Sequence, residues 1–175
     1  MNTAMTVVHL DQTHRDAFLR MLNDYAANDP EPGLWYENGR DDFNHYIQSL
    51  DHDERGINLP AGLVPCSHRW VIDDQGDIVG IVRIRHNIDT PHMFKEIGHI
   101  GYDVPPAHRG KGYAIKSLEA GLQLARDIGI SKVLILADDA NPPSWRTIER
   151  CGGVFEGSSW SNFWNCQVRR YWIDL

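Results

Sequence analysis

Glu96-Ile-Gly-His-Ile-Gly-Tyr-Asp-Val-Pro-Pro-Ala-His-Arg-Gly-Lys-Gly-Tyr-Ala-Ile115, running on through Lys116-Ser-Leu-Glu-Ala-Gly-Leu-Gln-Leu-Ala-Arg126, reads as strand, short loop and helix. Ile97, Ile100, Tyr102 and Val104 are strand-forming types. Pro105-Pro106 then ends any ladder, because neither residue donates a backbone hydrogen bond. Beyond the glycines, Ala114, Leu118, Leu122 and Ala125 recur at helical spacing, which starts the helix near Gly110–Gly112.

The strand-to-helix junction predicts an anion site. A helix's first turn presents unpaired N–H groups and the positive end of its dipole. Gly110 and Gly112 lack a Cβ, so a phosphate can approach the main chain and the loop can adopt positive φ. Arg109 and Lys111 add positive charge, and the expected ligand is a phosphate or pyrophosphate. Two familiar phosphate loops do not fit. Lys111 is followed by Gly112, so no Ser or Thr stands where a Walker A loop holds magnesium; the third glycine of the dinucleotide fingerprint is replaced by Ile115.

The whole chain, residues 1–175, is expected to form one domain, since 175 residues bury a core of ordinary size. A net charge of -7 argues against nucleic acid or an anionic membrane as the main partner, and suits a cationic amine. Cys66, Cys151 and Cys166 show no C-x-x-C pairing, so neither a disulfide framework nor zinc is expected. His86, His92, His99 and His108 fit no metal-ligand spacing, and no metal is expected. Met1–Val8 lacks the basic and apolar regions of an export signal, and no apolar run approaches the ~18 residues that span a bilayer, so a cytoplasmic location is expected.

Taken in order, Met5–Leu10 reads as a strand. A helix follows, capped by Asp11 or Thr13, with Ala17, Phe18, Met21, Leu22 and Tyr25 on its apolar face. It is expected to stop in the breaker cluster Asn28–Gly33. Asp41 to Leu50 is a second helix, and 51–67 is the longest irregular stretch, placed to cover a pocket. Trp70–Arg85 is a β-hairpin around Asp73–Asp77. Lys132–Ala137 is a buried strand, a short helix runs from about Ser144 to Arg150, and Val154–Trp160 and Val168–Ile173 close the chain as two strands.

Arg109-Gly110-Lys111-Gly112-Tyr113-Ala114 resembles the R/Q-x-x-G-x-G/A signature of the GNAT superfamily of N-acetyltransferases. Asn141-x-x-Ser144, with Ile148-Glu-Arg-Cys-Gly-Gly153 after it, is similar to the family's second block, and Gly80…Arg85-His86 and Gly98–Tyr102 resemble a bacterial branch of that family. The resemblance covers essentially the whole chain. It implies an α/β (α+β) fold with a mixed, mostly antiparallel sheet and helices on both faces. It implies acetyl-CoA as co-substrate and a primary amine of a small molecule or peptide as acceptor. In the carried-over roles, main-chain groups of Tyr102, Asp103 and Val104 pair with the pantetheine arm. Main-chain amides of Arg109, Gly110, Lys111, Gly112, Tyr113 and Ala114 hold the pyrophosphate, and Asn141 hydrogen-bonds the pantetheine.

The sequence departs from the family pattern at the catalytic groups. Where many relatives carry a Tyr that protonates the leaving thiolate, this chain has Ile148, and Ser144 or water is the substitute. Glu96 and His99 are the candidates for the base, read as lying on opposite faces of one strand with Glu96 sharing the face of Gly98. Trp160, Phe163 and Trp164 could line an acceptor pocket or a homodimer interface, with core packing the expected role for Trp160. Arg83, Arg85 and His86 are expected on an exposed strand face, with an anionic part of the substrate as the alternative. Cys151 is expected to be buried rather than nucleophilic.

Overall fold

The computed structural model describes residues 5–175; the reading of the chain's opening residues falls partly on residues 1–4, outside the described residues. The elements run β1 (Thr6–Val8), α1 (Arg15–Asn28), α2 (Pro30–Gly33), α3 (Asn38–Asp41), α4 (Phe43–Arg55), β2 (Cys66–Ile72), β3 (Ile78–Arg85), β4 (Ile100–Asp103), α5 (Tyr113–Asp127), β5 (Lys132–Asp138), α6 (Pro142–Arg150), β6 (Val154–Ser161) and β7 (Cys166–Asp174). The seven strands and the four longer helices follow the expected order, with α2 and α3 as short additions between α1 and α4, and pairing is antiparallel throughout two sheets, β1-β2-β3-β4 and β5-β7-β6. Among the described residues, no helix is long and apolar enough to cross a membrane.

Helices cover both faces, for reasons legible in the side chains. One core joins Phe18, Leu22 and Tyr25 of α1 and Phe43 and Tyr46 of α4 to the fully buried Trp70 of β2. The second joins Leu118 and Leu122 of α5 and Ile148 of α6 to Val82, Ile84, Ile100 and Ile135. Alternation along β3 assigns Val82 and Ile84 to the second core and turns Arg83 and Arg85 to the opposite face.

Asp11 caps a short 3-10 turn ahead of α1 by accepting the Thr13 N–H, and Asp42 caps α4 by accepting that of His45. Three expectations need correction. The breaker cluster ends α1, but Pro30 stands at the first position of α2, where a missing N–H is harmless. The irregular stretch is shorter than expected, because α4 continues to Arg55, where Gly56 ends it in the left-handed conformation, and β2 already begins at Cys66. The largest correction lies before β4. Met93–Ile97 is a turn of π-helix, and the strand starts only at Ile100. Gly98, at φ +76 and ψ -176, makes the change of direction that a side chain would resist.

Candidate active site

β4 and β5 belong to different sheets, and the chain just ahead of β4 meets β5 at an isolated bridge, Gly98 to Ile135. His99 seals that seam. Its N–H donates to the Leu134 carbonyl at 2.7 Å, its ring Nδ1 accepts the Leu134 N–H at 2.9 Å, and its carbonyl accepts the Arg85 N–H at 2.8 Å. Beyond the seam the strands separate. The gap is a cleft of about 590 Å³, walled by Ile100–Asp103 on one side and by Leu136–Asp138 with Asn141 and Ser144 on the other. That volume lies in the range of small-molecule sites.

Several predicted site residues meet here. The Tyr102 hydroxyl crosses to α6, donating to the Ser144 carbonyl at 2.8 Å with Ser144 Oγ at 3.1 Å; burial raises its pKa to about 12, so it stays protonated. Asn141 caps α6 by accepting the Ser144 N–H, which leaves its side-chain amide N–H groups available at the cleft wall. Asp103 accepts from Tyr36 Oη and lies 2.6 Å from Arg83 Nη2. Burial opposes its ionisation, yet the Arg83 charge and these hydrogen bonds hold its carboxyl below the usual range.

The loop adjoins the cleft through Asp103 and Val104. Gly110 and Gly112 take φ of +74 and +85, and α5 starts at Tyr113 with no side chain capping its first turn. Gly110, Lys111 and Gly112 are exposed, so no described side chain caps or covers the helix start. Arg109 turns back instead: its guanidinium pairs with Asp29 at 2.7 Å and donates to the Val104 carbonyl at 3.0 Å. Asp24 accepts the Ala107 N–H at 2.8 Å. α1 and its C-terminal cap thus brace the loop, a role for Asp24 and Asp29 that no local sequence signal announces.

Glu96 and His99 sit elsewhere. Glu96 lies in the π-turn rather than on the strand, so the shared pleat face with Gly98 does not exist. Its carboxylate accepts from Ser161 Oγ at 2.5 Å, and its carbonyl accepts from Trp164 Nε1 at 2.8 Å, fastening the β6–β7 turn to the π-turn. The His99 ring is 7% exposed and engaged at Nδ1; burial and the neighbouring Arg85 charge lower its pKa to about 4. Neither residue lines the cleft. Ile148, at the usual position of the acid, is fully buried.

The sequence reading also missed residues that do line it. Trp35 packs on Trp164 with ring centroids 5.8 Å apart, and His92 meets Phe163 edge-on at 5.1 Å. These aromatics, with Glu31, line the cleft. Trp160 is 58% exposed, so it is not a core residue; it lines a second, 420 Å³ cavity beside Phe94 and Arg170. Arg83 and Arg85 face the cleft rather than bulk solvent, while His86 Nε2 bonds Ser67 Oγ at 2.8 Å. Cys151 is half-buried against the α5–α6 core, where burial pushes its thiol up. Among the described residues, no three His, Cys, Asp or Glu side chains converge as a metal site needs.

Comparison with known proteins adds lineage to this geometry. The family model described as an acetyltransferase (GNAT) domain matches residues 5–154. N-acetyltransferase 8 of Mus musculus is 31% identical over 103 residues, 59% of this chain and 45% of that protein. The chain thus spans about half the length of the curated relative it matches. Among solved structures, the microcin C7 self-immunity acetyltransferase MccE in complex with acetyl-CoA and AMP superposes with a TM-score of 0.69 at 16% identity, covering 98% of this chain and 92% of that one. RimL, a ribosomal L7/L12 α-N-protein acetyltransferase in complex with coenzyme A, gives 0.67 at 17% identity, covering 100% and 96%. At these identities the likeness is one of fold.

Proposed function

Because this chain belongs to the GNAT acetyltransferase family, we propose that it transfers an acetyl group from acetyl-CoA to a primary amine of a small molecule or peptide. The observation that carries this reading is the parting of β4 from β5 beside an uncapped, glycine-flanked helix start. An extended arm fits between the strands, where the main chain of Tyr102, Asp103 and Val104 offers pairing on one wall and the Asn141 amide offers it on the other. Its diphosphate end then falls to the main-chain amides of Arg109, Gly110, Lys111, Gly112, Tyr113 and Ala114.

Acetyl-CoA supplies the thioester whose carbonyl the amine attacks; the C–N bond forms and the C–S bond breaks. The chain's own contribution is placement and proton handling. Among the described residues, Glu31 and His92 are cleft-lining side chains with a basic atom and no internal hydrogen bond, so we assign the amine's proton to one of them. The Ser144 hydroxyl, held by Tyr102, donates to the departing sulfur in place of the missing Tyr. His99 and Glu96 position the cleft instead: one closes its seam, the other fastens Trp164.

Calorimetry with acetyl-CoA and thiol release with a panel of amines test the proposal. Wild type is expected to bind and turn over, and a Gly110→Asp/Gly112→Asp double variant to lose binding, because two carboxylates would meet the diphosphate. Equal heats from both proteins would refute the loop assignment. The buried Ile148 supports one alternative, a binding module without chemistry; binding with no turnover on any amine would establish it. The homodimer reading attaches to the edge strand β6, where Val154, Phe155 and Trp160 are exposed, and sedimentation of wild type against Trp160→Ser tests it.

A further inference from the structure

Arg85 stands apart from every other basic residue. Among the described residues, each Arg or Lys that is not solvent-exposed has a carboxylate partner: Arg40 with Glu37, Arg69 with Glu54, Arg83 with Asp103, Arg169 with Asp139, and Arg170 with Glu156. Arg85 is half-buried, lines the cleft and has no such partner, nor does its guanidinium donate to any described residue. A sheltered charge without a counter-ion is unfavourable, and proteins seldom retain one without use.

Its surroundings sharpen the point. A Cβ built on Gly101 would lie 3.4 Å from Arg83 Nη2 and 3.5 Å from Arg85 Nη1, so both guanidiniums lie over β4 at the cleft floor. Arg83 already shares Asp103 with Tyr36. The cross-strand neighbour of Arg85 is Cys66, a thiol rather than a carboxylate. Burial, with the neighbouring Arg83 charge and opposed in part by Cys66 and Asp103, lowers the Arg85 pKa to about 10, which still leaves it cationic at neutral pH. The floor therefore presents one fork-shaped donor with no carboxylate at ion-pair distance, in the cleft that Trp35, His92 and Trp164 also line.

We propose that Arg85 binds a carboxylate of the acyl acceptor, so that the acceptor is a small molecule carrying both an amine and an acid. A planar guanidinium takes a carboxylate through two parallel hydrogen bonds, which fixes the acceptor's orientation as well as its affinity. A polyamine leaves this charge unanswered and places a second cation beside it. The inference rests on the acetyl-transfer reading for its chemistry, but the carboxylate site stands or falls by its own measurement.

Thiol release is followed with matched pairs, α- and ω-amino acids against their carboxamides, and with O-phosphoethanolamine as the phosphate-bearing amine. Wild type favours each acid over its amide by at least ~10-fold in kcat/KM, the scale of a charge-assisted pair. In Arg85→Gln that ratio falls below about 3-fold, Arg85→Lys keeps part of it, and Cys66→Ser keeps it all. Amines acetylated without regard to the carboxylate, or a ratio untouched in Arg85→Gln, overturn the inference and leave acetyl transfer standing. Preference for O-phosphoethanolamine over the acids overturns the carboxylate assignment. Should no amine be turned over, calorimetry with N-acetyl amino acids decides: Arg85-dependent binding upholds the site without the enzyme activity, and equal binding by Arg85→Gln sinks both.

Discussion

His99 and Leu134 exchange two hydrogen bonds across the seam between the sheets, one through the main chain and one through the imidazole. An imidazole that accepts a main-chain N–H at Nδ1 is neutral and carries its proton on Nε2. The site's geometry therefore depends on a titratable pin.

That pin predicts a pH dependence of stability. The folded pKa of His99 is about 4, below its unfolded value of 6.5, so the unfolded chain binds the extra proton first. The contribution is complete above about pH 6.5 and is lost as pH falls toward 4, amounting to ~3 kcal/mol. Urea melts between pH 4 and 7 are expected to slope upward with pH for wild type. The slope should be shallower in His99→Gln; equal slopes would remove His99 from the account.

Gly98 enforces the same seam. At φ +76 and ψ -176 it sits where nearly all residues but glycine are strained, and an added Cβ would come within 2.7 Å of the Leu134 carbonyl oxygen. Gly98→Ala is expected to lower stability by ~3 kcal/mol, with Tm falling by roughly 6–12 °C in calorimetry. A loss below about 1 kcal/mol would show that the sheets can separate freely there.

Ser144 is expected to act on turnover rather than on cofactor affinity. Ser144→Ala should lower kcat by about 10- to 100-fold with acetyl-CoA affinity nearly unchanged, as removal of a transition-state donor does. Tyr102→Phe, which loosens Ser144 without removing its hydroxyl, should have a smaller effect of the same kind. A kcat unchanged in both variants assigns the thiolate's proton to water.

An uncompensated charge also has a thermodynamic signature. Without acceptor, Arg85→Gln is expected to be more stable than wild type by ~1 kcal/mol, a rise in Tm of about 2–4 °C. Differential scanning calorimetry reads this directly, and a lower Tm in Arg85→Gln would mean that Arg85 is structurally satisfied.

How much was legible in advance follows from the range of each interaction. The order of elements, the start of α5 beside Gly110 and Gly112, and the Asn141 cap are written in neighbouring residues, because periodicity, capping and positive φ are local properties. Glu96 was misplaced because Ile97, Ile100 and Tyr102 suggest strand, whereas Gly98 bends the chain and Trp164, distant in sequence, claims the Glu96 carbonyl. Trp160 was misjudged because an edge strand leaves one face without a cover that sequence alone would reveal.

By itself, then, the amino-acid order determined the family, the succession of strands and longer helices, and the glycine-flanked start of α5, all carried by contacts between close neighbours. Only the tertiary structure decided which groups face the cleft. Whether Arg85 finds a counter-ion, whether His99 is a base or a pin, and whether Trp35 meets Trp164 depend on pairings between residues far apart in the chain, and on where two sheets part.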